Sequence, residues 1–183
     1  MINIRKRKDG NNLITALFYG DDGTGKSTAV EKYCKENGLN ALVFDLDNTN
    51  YTGMDIVTEF DLSNDRRTNK CMVEYLDEFK KLDYNTLVID GIDTLIEALT
   101  GSGQGMSAYS SRSKLFYKLI HKIKSLKCNV IYIGQKPMDI NSYGADESPN
   151  KLIVRVNALC NEKYHCIRDK NGKFDVETTK YRR

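Results

Sequence analysis

Residues 20–27 read Gly-Asp-Asp-Gly-Thr-Gly-Lys-Ser, a G-x-x-x-x-G-K-S octet between an apolar run ending at Tyr19 and a helix-competent run starting at Lys26. No other feature restricts the fold as much. A strand that stops at a glycine-rich turn and resumes as a helix leaves backbone N–H groups around a concave space. The helix adds the positive end of its dipole to the same point. Such a space suits a phosphate. Gly20, Gly23 and Gly25 keep side chains out of it, and Asp21, Asp22 and Thr24 complete the turn. Lys26 is expected to reach the β- and γ-phosphates, and Ser27, with Thr28 beside it, to hold Mg²⁺. A chance turn of this spelling is uncommon in 183 residues.

Three further apolar runs end in polar groups. Residues 40–47 read NALVFDLD and finish in carboxylates at Asp45 and Asp47, which strict alternation would put on one side of a strand. A carboxylate just past a strand's carboxyl end and beside the phosphate turn could orient an attacking water. That is the expected role of Asp47, against the alternative of a solvated or capping aspartate. Residues 86–90 read TLVID, and Asp90 is expected to accept from Ser27 or from a metal-bound water and so fix the ion. Residues 129–134 read NVIYIG and deliver Gln135, which can both donate and accept and so can sense a γ-phosphate. Runs this apolar are those of parallel strands covered on both faces.

The other segments are weaker signals. A helix over 26–37 stops at Asn37-Gly38, and a short strand is expected within 55–60. Asn64 to Arg67 open a helix to about Lys81, with Cys71, Tyr75 and Phe79 at i+4 spacing flanked by Met72 and Leu76. Gly91-Ile92-Asp93-Thr94 is followed by an expected apolar turn to Leu99, and Thr100 to Arg112, TGSGQGMSAYSSR, reads as a pliable loop. Tyr109 and Arg112 within it suit stacking and phosphate contact on a single strand, though a loop without a partner is the other reading. A helix over 113–126 follows, and then a second pliable loop from Lys136 to Asn150, with Lys136 as a further phosphate-contact candidate. Short strands are expected at 151–157, 162–168 and 173–179, the last two joined at Asp169-Lys-Asn-Gly172. The domain reading is a basic arm over 1–12 and one nucleotide-binding domain over 13–183.

Charge decides little: 28 Lys and Arg against 25 Asp and Glu give +3, which permits a nucleic-acid partner without requiring one. None of the five cysteines forms C-x-x-C, and with no secretory leader or long apolar span the reducing cytoplasm is expected, without a membrane partner. Cys160, His165 and Cys166 lack the spacing of a zinc knuckle and read as packing within a strand pair. His121 has no acidic neighbour in sequence that would suit catalysis. The guanine-reading N-K-x-D is missing, and so is the basic lid of a small kinase.

The order of these segments resembles the RecA-like core P-loop ATPases, in particular the small phage-encoded nucleotide-binding proteins linked to single-strand annealing and recombination. The resemblance covers about residues 10–183 and rests on GDDGTGKS at 20–27, VFDLD at 43–47, TLVIDG at 86–91 and VIYIGQ at 130–135. It implies an α/β fold: a central mostly parallel sheet flanked by helices, with a C-terminal antiparallel strand meander. It implies a Mg-dependent ATPase with ATP and Mg²⁺ as cofactors and Lys26, Asp47 and Gln135 as catalytic residues. Asp47 stands where these recombinases carry a glutamate. Residues 100–112 and 136–150 correspond to the family's two DNA-binding loops. The implied partners are single-stranded DNA, further copies of the chain in a ring or filament, and a single-strand-binding protein, in the cytoplasm of a bacterial host. A cation from the next protomer usually completes such a site, with Lys151, Arg155 and Arg168 as candidates. The rival readings are an ATP-dependent protein-partner switch without nucleic acid, and a small-molecule kinase.

Overall fold

The computed structural model describes residues 13–49, 51–100, 106–141, 143–144 and 150–181. The basic arm, Gly101 to Gly105 and most of the stretch before Asn150 lie outside the described residues. The elements in chain order are β1 (Thr15–Gly20), α1 (Lys26–Glu36), β2 (Ala41–Asp45), β3 (Asp55–Val57), α2 (Asp65–Phe79), β4 (Thr86–Asp90), α3 (Ile92–Thr100), α4 (Met106–Ser125), β5 (Asn129–Gln135), α5 (Lys151–Leu159), β6 (Glu162–Arg168) and β7 (Phe174–Tyr181). A 3₁₀ turn, Lys136–Met138, follows β5 directly. No helix among the described residues is long and apolar enough to cross a membrane.

The strands form one sheet in the order β3-β2-β4-β5-β1-β6-β7, parallel at every pairing except β6 with β7. This is the α/β fold the strand pattern predicts. β1, β2, β4 and β5 bury both faces because alternate residues feed two separate cores. Leu17, Tyr19, Phe44, Leu87, Ile89 and Tyr132 point into the core made with α2, α3, α4 and α5. Ala16, Phe18, Val43, Val88, Ile131 and Ile133 meet Val30 and Cys34 of α1 on the other face. Among the described residues a single helix therefore covers one face, and it is the helix that follows the phosphate turn. It is also tied to β6: the hydroxyls of Tyr33 and Tyr164 both donate to the buried Glu162 carboxylate, at 2.5 and 2.6 Å.

The registers align the strand ends that matter. Gly20 is opposite Gln135, and Asp45 is opposite Asp90. The carboxyl ends of β1, β2, β4 and β5 thus share one edge, where open α/β sheets bind ligands.

Several expectations change, and the stretch read as an apolar turn up to Leu99 is the helix α3. Residues 151–157 are the helix α5: Leu152, Ile153 and Val156 are buried while Val154 is exposed, a helical spacing that a β-branched composition obscures. The Asn150 side chain caps it, accepting from Leu152 N at 2.9 Å. The meander therefore shrinks to the antiparallel pair β6–β7, and β6 itself runs parallel to β1. Residues 106–112 belong to α4, where Arg112 pairs with Asp65 at 3.4 Å and donates to Thr100 O at 3.5 Å. Tertiary pairing outweighs the weak helix preference of its serines. Finally, the seam of α2 is Thr68, Met72, Leu76 and Phe79, with Cys71 and Tyr75 half-buried at its flank. On α4 the seam is Phe116, Leu119, Ile120 and Ile123, and Lys122 reaches Asp77 of α2 at 2.7 Å.

Candidate functional site

β1 ends at Gly20 and α1 starts at Lys26, so residues 21–25 make the whole turn. Gly23 and Gly25 carry φ of 70° and 77°, the left-handed region open to glycine at little cost. Thr24 is buried and donates to Asp21 O at 2.7 Å, which closes the turn on itself. Lys26 folds back over it. Its Nζ donates to Gly20 O at 3.1 Å, Asp21 O at 2.9 Å and Gln135 Oε1 at 3.2 Å. Gln135 in turn donates from Nε2 to Asp22 Oδ1 at 2.7 Å, so one side chain bridges the lysine and the turn. A cleft of about 420 Å³ opens beside this group, lined by residues 22–28 with Asp47, Thr49, Asp90 and Gln135. The phosphate turn, Asp47, Asp90 and Gln135 are therefore brought to one place.

The second wall of the cleft is acidic. Ser27 Oγ donates to Asp90 Oδ2 at 3.4 Å, and the Tyr51 hydroxyl donates to the same oxygen at 2.5 Å. Burial pushes the Asp90 carboxyl above its usual range; the Tyr51 bond opposes this, and the charges of Asp45 and Asp47 add to the rise. Burial raises Asp45 and Asp93 as well. Carboxylates crowded in this way gain from a cation among them. The serine hydroxyl and the Asp90 oxygen are the hard donors that Mg²⁺ takes, so the residues present fit that ion.

Asp47 lies beyond the end of β2, past which alternation no longer applies. It lines the cleft, whereas Asp45 turns inward and accepts from Thr49 N at 2.9 Å. Asp47 is held from two directions: Thr94 donates to its Oδ1 at 2.5 Å, and Gly91 lies against the carboxylate. A Cβ on Gly91 would stand 2.6 Å from Asp47 Oδ1, and the φ of 92° there already disfavours any side chain. Gly91→Ala is expected to destabilise the fold by about 1–3 kcal/mol and to displace Asp47. Urea unfolding and an ATPase assay on the same preparation check both effects.

Sequence reasoning missed Tyr51, Thr94 and Asp93. Asp93 accepts from Gln135 N at 3.2 Å and so fixes where β5 ends. An acidic residue in the first turn of α3 was its available signal; Tyr51 offered none, since its role depends on the path the chain takes after Asn48, where φ is 54°. Of the nucleic-acid candidates, Lys136 stands 4.0 Å from Asp21 at the rim of the turn, and Arg112 is engaged with Asp65, away from the cleft lining. The Tyr109 side chain lies outside the described residues. Lys151 and Arg155 are on α5, and Arg168 ends β6. Cys160 ends α5 instead of lying in a strand pair, and burial pushes its thiol up to about 12 and that of Cys166 to about 11, away from the thiolate a metal takes. His165 stacks on Tyr19 with 5.0 Å between ring centroids.

No curated protein matches the chain closely enough to count as a relative. A family pattern does: residues 13–163, from the first strand to the start of β6, match the one described as an AAA domain. With the phosphate turn, the strand-end carboxylates and Gln135 all inside that span, the chain belongs to the AAA-domain family of P-loop NTPases.

Proposed function

We propose that the protein is a Mg-dependent ATPase whose nucleotide state governs its grip on single-stranded DNA, as in phage-type annealing or recombination. The observation that carries this reading is the bridge from Gln135 to both Lys26 and Asp22, with Lys136 the next residue in the chain. ATP lies with its phosphates in the turn at Gly20 to Thr28. Lys26 leaves the carbonyls of Gly20 and Asp21 and neutralises charge developing on the γ-phosphate. Ser27 and Asp90 would hold Mg²⁺, which would supply positive charge to offset that of the phosphate oxygens. Asp47, steadied by Thr94, accepts the proton of the attacking water. Once Lys26 turns to the phosphate, Gln135 loses that partner and rearranges with the turn Lys136–Met138 behind it. The change passes into the segment before α5, which the resemblance reads as a DNA-binding loop.

Binding of a fluorescent oligothymidylate tests this, with and without a non-hydrolysable ATP analogue and over a range of salt. The expected result is tighter binding with the analogue and a steep linear fall of log K with log salt, the mark of phosphate contacts. Identical affinity in both nucleotide states would sink the coupling. A second reading, an ATP-dependent switch acting on a protein partner, gains from the pairing of Arg112 with Asp65, which removes the cation expected in the first DNA loop. It predicts ATP hydrolysis indifferent to DNA. Assembly into a ring or filament, with a cation from the neighbour, belongs to the same proposal, and sedimentation with and without ATP tests it.

A further inference from the structure

The γ-phosphate end of the cleft is marked by Asp47, Asp90 and Gln135, which sit on β2, β4 and β5 or just beyond them. All three strands lie on one side of β1 in the sheet order. A nucleotide with its terminal phosphate there must carry its base out on the other side, where β6 and β7 lie. β6 pairs with β1 only as far as Tyr19 with His165, then runs on to Arg168, so the β6–β7 turn overhangs the phosphate turn. The approach is close: a Cβ on Gly20 would stand 2.2 Å from Cys166 O.

Phe174 opens β7 at this point. Its ring covers Gly25, with Cδ1 at 3.0 Å and Cγ and Cε1 at 3.4 Å from where a Cβ would stand, yet 53% of the residue is exposed. Arg168 is opposite Phe174 in the hairpin, its guanidinium carbon 5.1 Å from the ring centroid, and its Nε donates to Gly172 O at 3.3 Å. A large aromatic left half in solvent and flanked by a delocalised cation is a surface on which a flat, electron-rich heterocycle stacks. Its place against the glycine immediately before Lys26 puts it at the phosphate turn and on the side opposite the γ-phosphate groups.

We propose that the Phe174–Arg168 pair of the β6–β7 hairpin is the base-stacking platform of the nucleotide site. This rests on the nucleotide reading given above and assigns the half of the ligand that the phosphate turn leaves unread. The base stacks on the exposed part of the pair while the triphosphate follows the turn past Gly25. Arg168 serves the base of its own subunit here, which removes it from the cations available to a neighbour's γ-phosphate.

The test compares ATP with inorganic tripolyphosphate, which carries the phosphates and no base, by titration calorimetry in the presence of Mg²⁺. Phe174→Ala is expected to weaken ATP binding about tenfold or more and to leave tripolyphosphate binding unchanged. Phe174→Leu keeps the apolar cover over Gly25 and removes the aromatic face, so it is expected to weaken ATP in the same selective way. Equal loss for both ligands in the leucine variant would mean damage to the phosphate turn and would overturn the platform, as would unchanged ATP binding. Wild-type protein that binds neither ligand would overturn the nucleotide reading itself, a separate failure. The chain has no tryptophan, so Phe174→Trp supplies a single tryptophan that can be excited apart from the tyrosines. Quenching by ATP and not by tripolyphosphate is expected, and an unresponsive tryptophan in a variant that still binds ATP would also overturn the proposal.

Discussion

Lys26→Ala is expected to lower ATP hydrolysis by about 10²–10³-fold or more, the loss typical when a group that stabilises transition-state charge is removed from a water-poor site. The ammonium is well placed to act because nothing competes for it permanently. Its three partners are two carbonyls of the phosphate turn and a neutral amide, which a γ-phosphate displaces. ATP affinity falls as well, since the lysine contacts ground state and transition state alike. Stability is expected to change little, by about 1 kcal/mol or less, because Asp21 O keeps its bond from Thr24 and the contacts that truncation removes are at most part-buried. A steady-state assay and a thermal melt on one preparation separate the two effects. Hydrolysis that persists in a folded Lys26→Ala protein would show that the activity belongs to a contaminant or to another site.

Asp47→Asn should separate binding from chemistry. The asparagine oxygen can still accept from Thr94, and the side chain occupies the same space beside Gly91, so the geometry of the wall survives. What disappears is the capacity to take a proton from water. Hydrolysis is expected to fall by about 10²–10⁴-fold, the usual contribution of a positioned base, with ATP binding within a few-fold of wild type. Single-turnover kinetics with saturating ATP measure this directly. An Asp47→Asn protein that hydrolyses ATP at the wild-type rate would leave Asp47 a purely structural residue, holding Thr94 and the entry of α3.

These expectations depend on residues the sequence discloses unevenly. The phosphate turn is legible because its chemistry requires glycine, lysine and serine at fixed spacing in one contiguous stretch. Asp90 and Gln135 are legible because apolar runs end at them and parallel registers align such ends. Tyr51 is not, since its bond to Asp90 is made by a segment 39 residues away in sequence whose path no local pattern fixes. The strand expected over 151–157 shows a different limit. Ile153, Val154 and Val156 favour strands by composition, and only the cap at Asn150 and the burial of alternate helical positions distinguish α5. The serine-rich stretch before Arg112 reads as a loop for a similar reason, because the ion pair with Asp65 that anchors it joins residues with no sequence relation.

The two margins of the sheet carry a consequence for how copies of this chain can meet. β3 is only three residues long, and β7, at the opposite margin, carries Asp175, Glu177 and Lys180 along an exposed strand. Short margins and charged margins both resist the addition of a foreign strand. Among the described residues, both margins therefore resist continuation of the sheet from one copy into the next. Contacts made instead by helices, turns and side chains can open and close while every ladder of backbone hydrogen bonds stays intact.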